Sequence, residues 1–162
     1  SKMIERIKNE QPEANILGAT VEPMYKHPHT RELLIGVIRD PVFGPAITFG
    51  SGGTTVEVIQ DRSIALPPLN RYLAQKMIER TKVSKMLKAF RGLPQVNHDA
   101  IIDVLIRISD MVAQLPEIHE LDINPLFSDD EGVMAVDARI VVKPLPRNHK
   151  AYQHMAIHPY PE

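Results

Sequence analysis

The chain has 162 residues, enough to bury one real core. Its formal net charge of −1 argues against a broad polyanion-binding surface, so no nucleic-acid partner is expected. The absence of cysteine excludes disulfides and thiolate metal sites, and a cytoplasmic protein fits that composition. No apolar run reaches membrane-spanning length and no signal-peptide pattern opens the chain.

Residues 2–10 place Met3, Ile4 and Ile7 at helical spacing among charges, which predicts a short amphipathic helix stopped by Gln11-Pro12. Residues 16–24 (ILGATVEPM) are apolar and predict a strand that ends at Pro23 or runs along an edge. A polar loop follows over 25–31. It contains His27 and His29, an H-x-H pair without an evident third ligand, and is read as an exposed loop. Residues 32–39 (ELLIGVIR) have a buried-strand pattern, closed by the turn formers Asp40-Pro41 and Phe43-Gly44-Pro45. Strands are predicted at 46–49, 54–59 and 62–66, with the glycine loop Gly50-Ser51-Gly52-Gly53 between the first two. That loop is no Walker phosphate loop, because no GK[ST] follows it.

Pro67-Pro68 ends the β-rich half. Asn70 is the expected N-cap of a helix reaching about residue 81, and a second short helix is predicted over 83–90, closing near Gly92. Asn97 or Asp99 caps a third helix over 100–114, with Ile101, Ile102, Leu105, Ile108 and Val112 inward. Then come two alternating strands, 118–127 and 133–142, joined by the acidic turn 128–132. Asp122 and Asn124, two apart, project from one face of the first strand. In the register the turn suggests, Asp137 lies opposite them. A carboxylate, an amide oxygen and a second carboxylate suit Mg²⁺, a hard cation that takes oxygen ligands. The same residues also fit a solvated hairpin face, and the pattern alone leaves both readings open. Residues 143–162 hold four prolines and no periodicity, as expected of a linker.

The segments ATVEPMYKHPHTRELLIGVIRDPVFGPAITFGSGGTTVEV, FRGLPQVNHDAI and PEIHELDINPLFSDDEGVMAVDARI occur in the order and with gaps similar to those of a known family. They resemble the ATP-grasp region of ADP-forming acyl-CoA synthetases, relatives of the succinyl-CoA synthetase β subunit. The resemblance implies an α+β fold, the C-terminal lobe of an ATP-grasp domain, with a largely antiparallel sheet and helices packed against it. It divides the chain into an inter-lobe helix (1–15), the lobe (16–142) and a linker (143–162). The first lobe and the CoA-binding ligase domains, where the family's phosphohistidine resides, have no counterpart here.

By that resemblance the hinge that meets the adenine comprises Glu22, Pro23, Met24 and Tyr25. Glu32 contacts the ribose, whose two hydroxyls one carboxylate can accept. Gly50, Gly52 and Gly53 border the phosphate cleft, where missing side chains allow close backbone approach. Asn124 and Asp137 match the Mg²⁺ ligands, and Asp122 is a further candidate that orients Asn124. Arg39, Arg91 and Arg139 are candidates for phosphate or CoA contacts or for structural ion pairs, Arg139 being favoured as the neighbour of Asp137. No catalytic side chain is assigned. The implied ligands are Mg²⁺, ATP or ADP, and CoA. The implied function is the nucleotide- and Mg²⁺-binding half of a synthetase that couples acyl-CoA to ATP by phosphoryl transfer. The tail AYQHMAIHPYP resembles the junction in protein lysine acetyltransferases that fuse such a region to a downstream acetyltransferase domain. On that alternative the lobe is a regulatory ligand-binding module that has lost synthetase activity.

Overall fold

The computed structural model describes residues 2–21, 24–25, 28–53, 61–89 and 92–144. Its elements are α1 (Lys2–Glu10), β1 (Arg31–Asp40), β2 (Gly44–Ser51), β3 (Arg62–Ala65), α2 (Arg71–Glu79), a 3-10 turn (Val83–Lys85), α3 (His98–Gln114), β4 (Ile118–Ser128), β5 (Val133–Ala135) and β6 (Ala138–Val142). The described strands form one antiparallel sheet in the order β3-β2-β1-β4-β5, with β6 also paired to β4. The architecture is thus an α+β lobe with helices on one face of the sheet.

Alternation decides which face the helices cover. Leu33, Ile35 and Val37 of β1, Ile47 and Phe49 of β2, and Leu121 and Leu126 of β4 point to one side. There they meet Met77 and Ile78 of α2 and Ile101, Leu105 and Val112 of α3 in a single buried cluster. Both helices begin as the sequence predicts. The Asn70 side chain accepts from the Leu73 N–H and Asn97 from the Ala100 N–H, satisfying donors that helix geometry leaves free. The opposite face of the sheet carries no helix among the described residues.

Several sequence expectations need correction. Residues 16–21 and 24–25 form no strand, and Leu17, Val21 and Met24 are exposed, because no neighbouring strand offers them a ladder. The predicted helix over 83–90 shrinks to a 3-10 turn. The buried Asp61 carboxylate accepts from the Lys82 and Val83 N–H groups at its start, and Gly92 has φ +81 at the far side of the loop. The predicted strand 133–142 is interrupted at Val136–Asp137. The strand expected at 54–59 and the linker at 145–162 lie outside the described residues.

The interruption has a local cause. Pro125 has no N–H to give to the ladder. Around it the β1–β4 register shifts between Leu33 and Ile35. On the other edge the Val136 N–H donates to the Pro125 carbonyl, and the Asn124 N–H to the Asp137 carbonyl. Ile123 packs toward the core and Leu126 is buried in it, so the two residues between them, Asn124 and Pro125, are both turned off the helix side.

Candidate functional site

The uncovered sheet face holds a groove of about 580 Å³. Register builds its floor from two rows. One runs Ile64–Thr48–Gly36–Asp122–Arg139 across β3, β2, β1, β4 and β6. The other runs Arg62–Gly50–Leu34 and continues, past the register shift, to Asn124. Glycines at the middle of each row keep the floor low.

Asn124 joins three segments. Its backbone N–H donates to Asp137 O at 3.2 Å, and its side-chain Oδ1 accepts the Gly53 N–H at 3.0 Å. The backbones of Asn124 and Asp137 are thus bonded across the β4–β6 edge, and Asp122, two residues earlier, pairs with Arg139. Asp122, Asp137 and Arg139 are all exposed. The donor set is an amide oxygen and two carboxylates, all hard oxygens, which fits Mg²⁺. Asn124 Oδ1 keeps a second lone pair beside the Gly53 bond.

Gly53 lines the groove, and the glycines of this loop have identifiable steric reasons. A Cβ on Gly52 would stand 2.3 Å from the Leu33 carbonyl oxygen. Gly53 has φ +75, and a Cβ there would fall 1.9 Å from Glu32 Oε2. That close approach brings the exposed Glu32 carboxylate to the loop that holds Asn124. Gly50 lies within β2, paired with Leu34 and Arg62.

Of the hinge candidates, Glu22 and Pro23 lie outside the described residues, as do His27 and Arg91. Met24 is exposed. Tyr25 is anchored: its ring meets Phe127 at 5.6 Å between centroids, and its hydroxyl donates to the Asp129 carboxylate. Phe127 in turn pairs with Glu32, so hinge and ribose candidates sit side by side. The hydrogen bond to Asp129, then burial and the charges of Asp129, Glu131 and Asp130, push the Tyr25 phenol up to about 12.

Asp129 was read from sequence only as a turn residue. In the structure it is almost fully buried. Its Oδ1 accepts from the Glu131 and Gly132 N–H groups and its carbonyl from the Asn97 N–H. It thereby ties Tyr25, the hairpin turn and the start of α3 together. The signal available in sequence was an Asp opening an Asp-Asp-Glu-Gly turn, the Asx pattern. The reading of Arg39 also changes. Arg39 donates to the Ile118 and Val112 carbonyls, so it is a backbone tie and forms no ion pair among the described residues. Arg31 is buried and donates to the His29, Met86 and Pro94 carbonyls, leaving Glu32 unpaired with it. Among the described residues no cluster of three His, Cys, Asp or Glu side chains could hold a metal, which also sets aside a His29-based site.

Comparison with known proteins identifies the family of the chain. The family model described as an ATP-grasp domain matches residues 1–142. The chain is 37% identical over 140 residues to the β subunit of Acetate–CoA ligase [ADP-forming] I of Pyrococcus furiosus, covering 86% of this chain and 60% of that protein. The β subunit of the second such ligase of the same organism is 39% identical over 142 residues, with 86% and 59% covered. The chain thus spans about three-fifths of the length of these relatives. Among solved structures, PH1788 from Pyrococcus horikoshii superposes with a TM-score of 0.74 at 41% identity, covering 89% of this chain and 61% of that one. A dinucleotide-forming acetyl-coenzyme A synthetase of Ca. Korarchaeum cryptofilum, in complex with coenzyme A and Mg-AMPPCP, superposes with a TM-score of 0.69 at 42% identity, covering 72% and 55%. A match to the family model over 142 of its residues makes this chain a member of the ATP-grasp domain family.

Proposed function

We propose that this chain is the nucleotide- and Mg²⁺-facing half of an ADP-forming acyl-CoA synthetase, the C-terminal lobe of its ATP-grasp domain. The reaction consumes ATP, a carboxylic acid and CoA and yields acyl-CoA, ADP and phosphate. The observation that supports this reading is that Asn124, in the groove lining, bonds through its backbone to the Asp137 carbonyl and through its side chain to the Gly53 N–H. The adenine lies near Met24 and Tyr25, the ribose at Glu32, and the phosphates between Gly53 and Asn124. Asn124 and Asp137 hold the Mg²⁺ ion, with Asp122 and Arg139 beside them. The ion supplies charge neutralisation for the phosphate oxygens as a phosphoryl group moves. A ligand here is enclosed only when a second lobe covers the groove, so the 162-residue chain alone binds Mg-ATP weakly. CoA, named in complexes of the relatives, is the second ligand of the whole protein.

Calorimetry with Mg-ATP on the full-length protein tests this. Asn124→Ala and Asp137→Ala are each expected to weaken Mg-nucleotide binding about tenfold or more, the scale of a lost metal ligand or its orienting partner, with little change in Tm. Unchanged affinity in either variant would defeat this reading. A second reading, that the lobe is a ligand-binding regulatory module of a protein lysine acetyltransferase, rests on the sequence of residues 151–161. It keeps the same nucleotide site and differs in lacking acyl-CoA synthesis.

A further inference from the structure

Four arginines stand on described strands: Arg31 and Arg39 on β1, Arg62 on β3 and Arg139 on β6. The two on β1 are spent on backbone carbonyls. The other two line the groove from opposite rims, and neither has a carboxylate partner among the described residues. Arg139 was anticipated from sequence; Arg62 was not.

The orientation of Arg62 follows from register. Its neighbour Ser63 pairs with Phe49 and is buried toward the helices, so Arg62 faces the open side. It pairs with Gly50. A Cβ on Gly50 would stand 2.1 Å from the Asp61 carbonyl oxygen, so the backbone approach of β3 itself demands the glycine, and 3.3 Å from Arg62 Cγ, so the arginine stem runs beside it. Counting strand spacings of about 4.8 Å, Asn124 on β4 lies about 14 Å from β3 and Arg139 about 19 Å. The long arginine stem narrows that gap. The ground between is Gly50, Leu34, Thr48 and Gly36, and the acidic side chains of the groove, Asp122 and Glu120, both stand on β4 at its other side. An unpaired guanidinium over an uncharged floor is suited to phosphate oxygens, which it binds through a planar fork of donors.

We propose that Arg62 is a phosphate-contact residue, forming with Gly50 a subsite on the β3 rim for phosphate oxygens on the side of the groove away from Asn124 and Asp137. Two ligands carry such oxygens: Mg-ATP on its terminal phosphate and CoA on its phosphates. This inference rests on the proposed function for the nucleotide arm and stands apart from it for the CoA arm.

The test is calorimetry on the full-length protein with Mg-ATP, Mg-ADP and CoA, using Arg62→Ala, Arg62→Lys and Asn124→Ala. Arg62→Ala is expected to weaken Mg-ATP or CoA about tenfold, the scale of a lost charge-assisted hydrogen bond, and to leave Mg-ADP within about twofold. Arg62→Lys, which keeps the charge and loses the fork, falls between. A loss confined to Mg-ATP identifies the nucleotide as the source of the phosphate, and a loss confined to CoA identifies CoA. Unchanged affinities, or one equal loss for all three ligands, overturn the assignment. Asn124→Ala separates the two claims: wild-type Mg-ATP affinity in that variant defeats the proposed function, whatever Arg62 does. A wild-type protein that binds none of the three ligands defeats both. Arg62 is exposed, so a melting temperature close to wild type shows that any loss is local.

Discussion

Asp129 is where the structure makes its sharpest claim about stability. Its carboxylate receives the Tyr25 hydroxyl and the Glu131 and Gly132 N–H groups, and it is 1% exposed. Asp129→Ala leaves two backbone donors and a phenol without their acceptor. A hydrogen bond to a charged group is worth about 1.5–3 kcal/mol, and shared desolvation makes such values less than additive, so a loss of about 3–4 kcal/mol is expected. Tyr25→Phe removes one bond and keeps the ring against Phe127. The phenol rises from 10.0 to about 12, which at about 1.4 kcal/mol per pKa unit caps the interaction at roughly 3 kcal/mol. Tyr25 is only partly buried, and solvent screening reduces that to about 1 kcal/mol.

The pH dependence has a definite sign. The folded-state pKa of Tyr25 lies above its unfolded value, so the stabilisation is fully present below pH 10 and is lost as pH rises through about 12. Urea unfolding of wild type, Tyr25→Phe and Asp129→Ala gives the energies. Alkaline titration of tyrosinate absorbance, differenced against Tyr25→Phe, gives the pKa. Asp129→Asn should bring the Tyr25 titration back toward 10. A Tyr25 titration near 10 in the wild-type protein, or an Asp129→Ala variant as stable as wild type, would refute the latch.

Asp61 is the corresponding anchor on the other side of the lobe. Asp61→Ala strips the acceptor from the Lys82 and Val83 N–H groups and should cost about 2–4 kcal/mol, read by thermal or urea unfolding. Asn at that position keeps one oxygen and should recover part of the loss. Arg39→Met should lower stability by about 1–2 kcal/mol, because two carbonyls lose their donor, while Mg-ATP affinity of the full-length protein stays at the wild-type value. A selective loss of nucleotide affinity in that variant would return Arg39 to the site.

Local chemistry made the helices legible: Asn70 and Asn97 announce their caps, and the 3.6-residue spacing of Ile101, Leu105 and Val112 announces the buried face. The strands β1, β2 and β4 were legible because their alternation is strong. Residues 16–24 misled because apolar composition says nothing about whether a partner strand is present. The break at Val136–Asp137 was hidden because it originates in Pro125, on the neighbouring strand. The site was half visible. Hard-oxygen residues at 122, 124 and 137 suggested a metal, but family resemblance was needed to choose that reading over a solvated edge. Asp129 and Arg62 escaped notice because their roles depend on residues 104 positions away in one case and on a glycine across the ladder in the other.

A crystal structure of the full-length protein with Mg²⁺ and a non-hydrolysable ATP analogue decides whether Asn124 and Asp137 face the metal of a bound nucleotide. The expected result is a Mg²⁺ ion about 2.0–2.1 Å from Asn124 Oδ1 and from an Asp137 carboxylate oxygen, with phosphate oxygens and water completing an octahedron. Nucleotide bound elsewhere, or metal held without either residue, would contradict it.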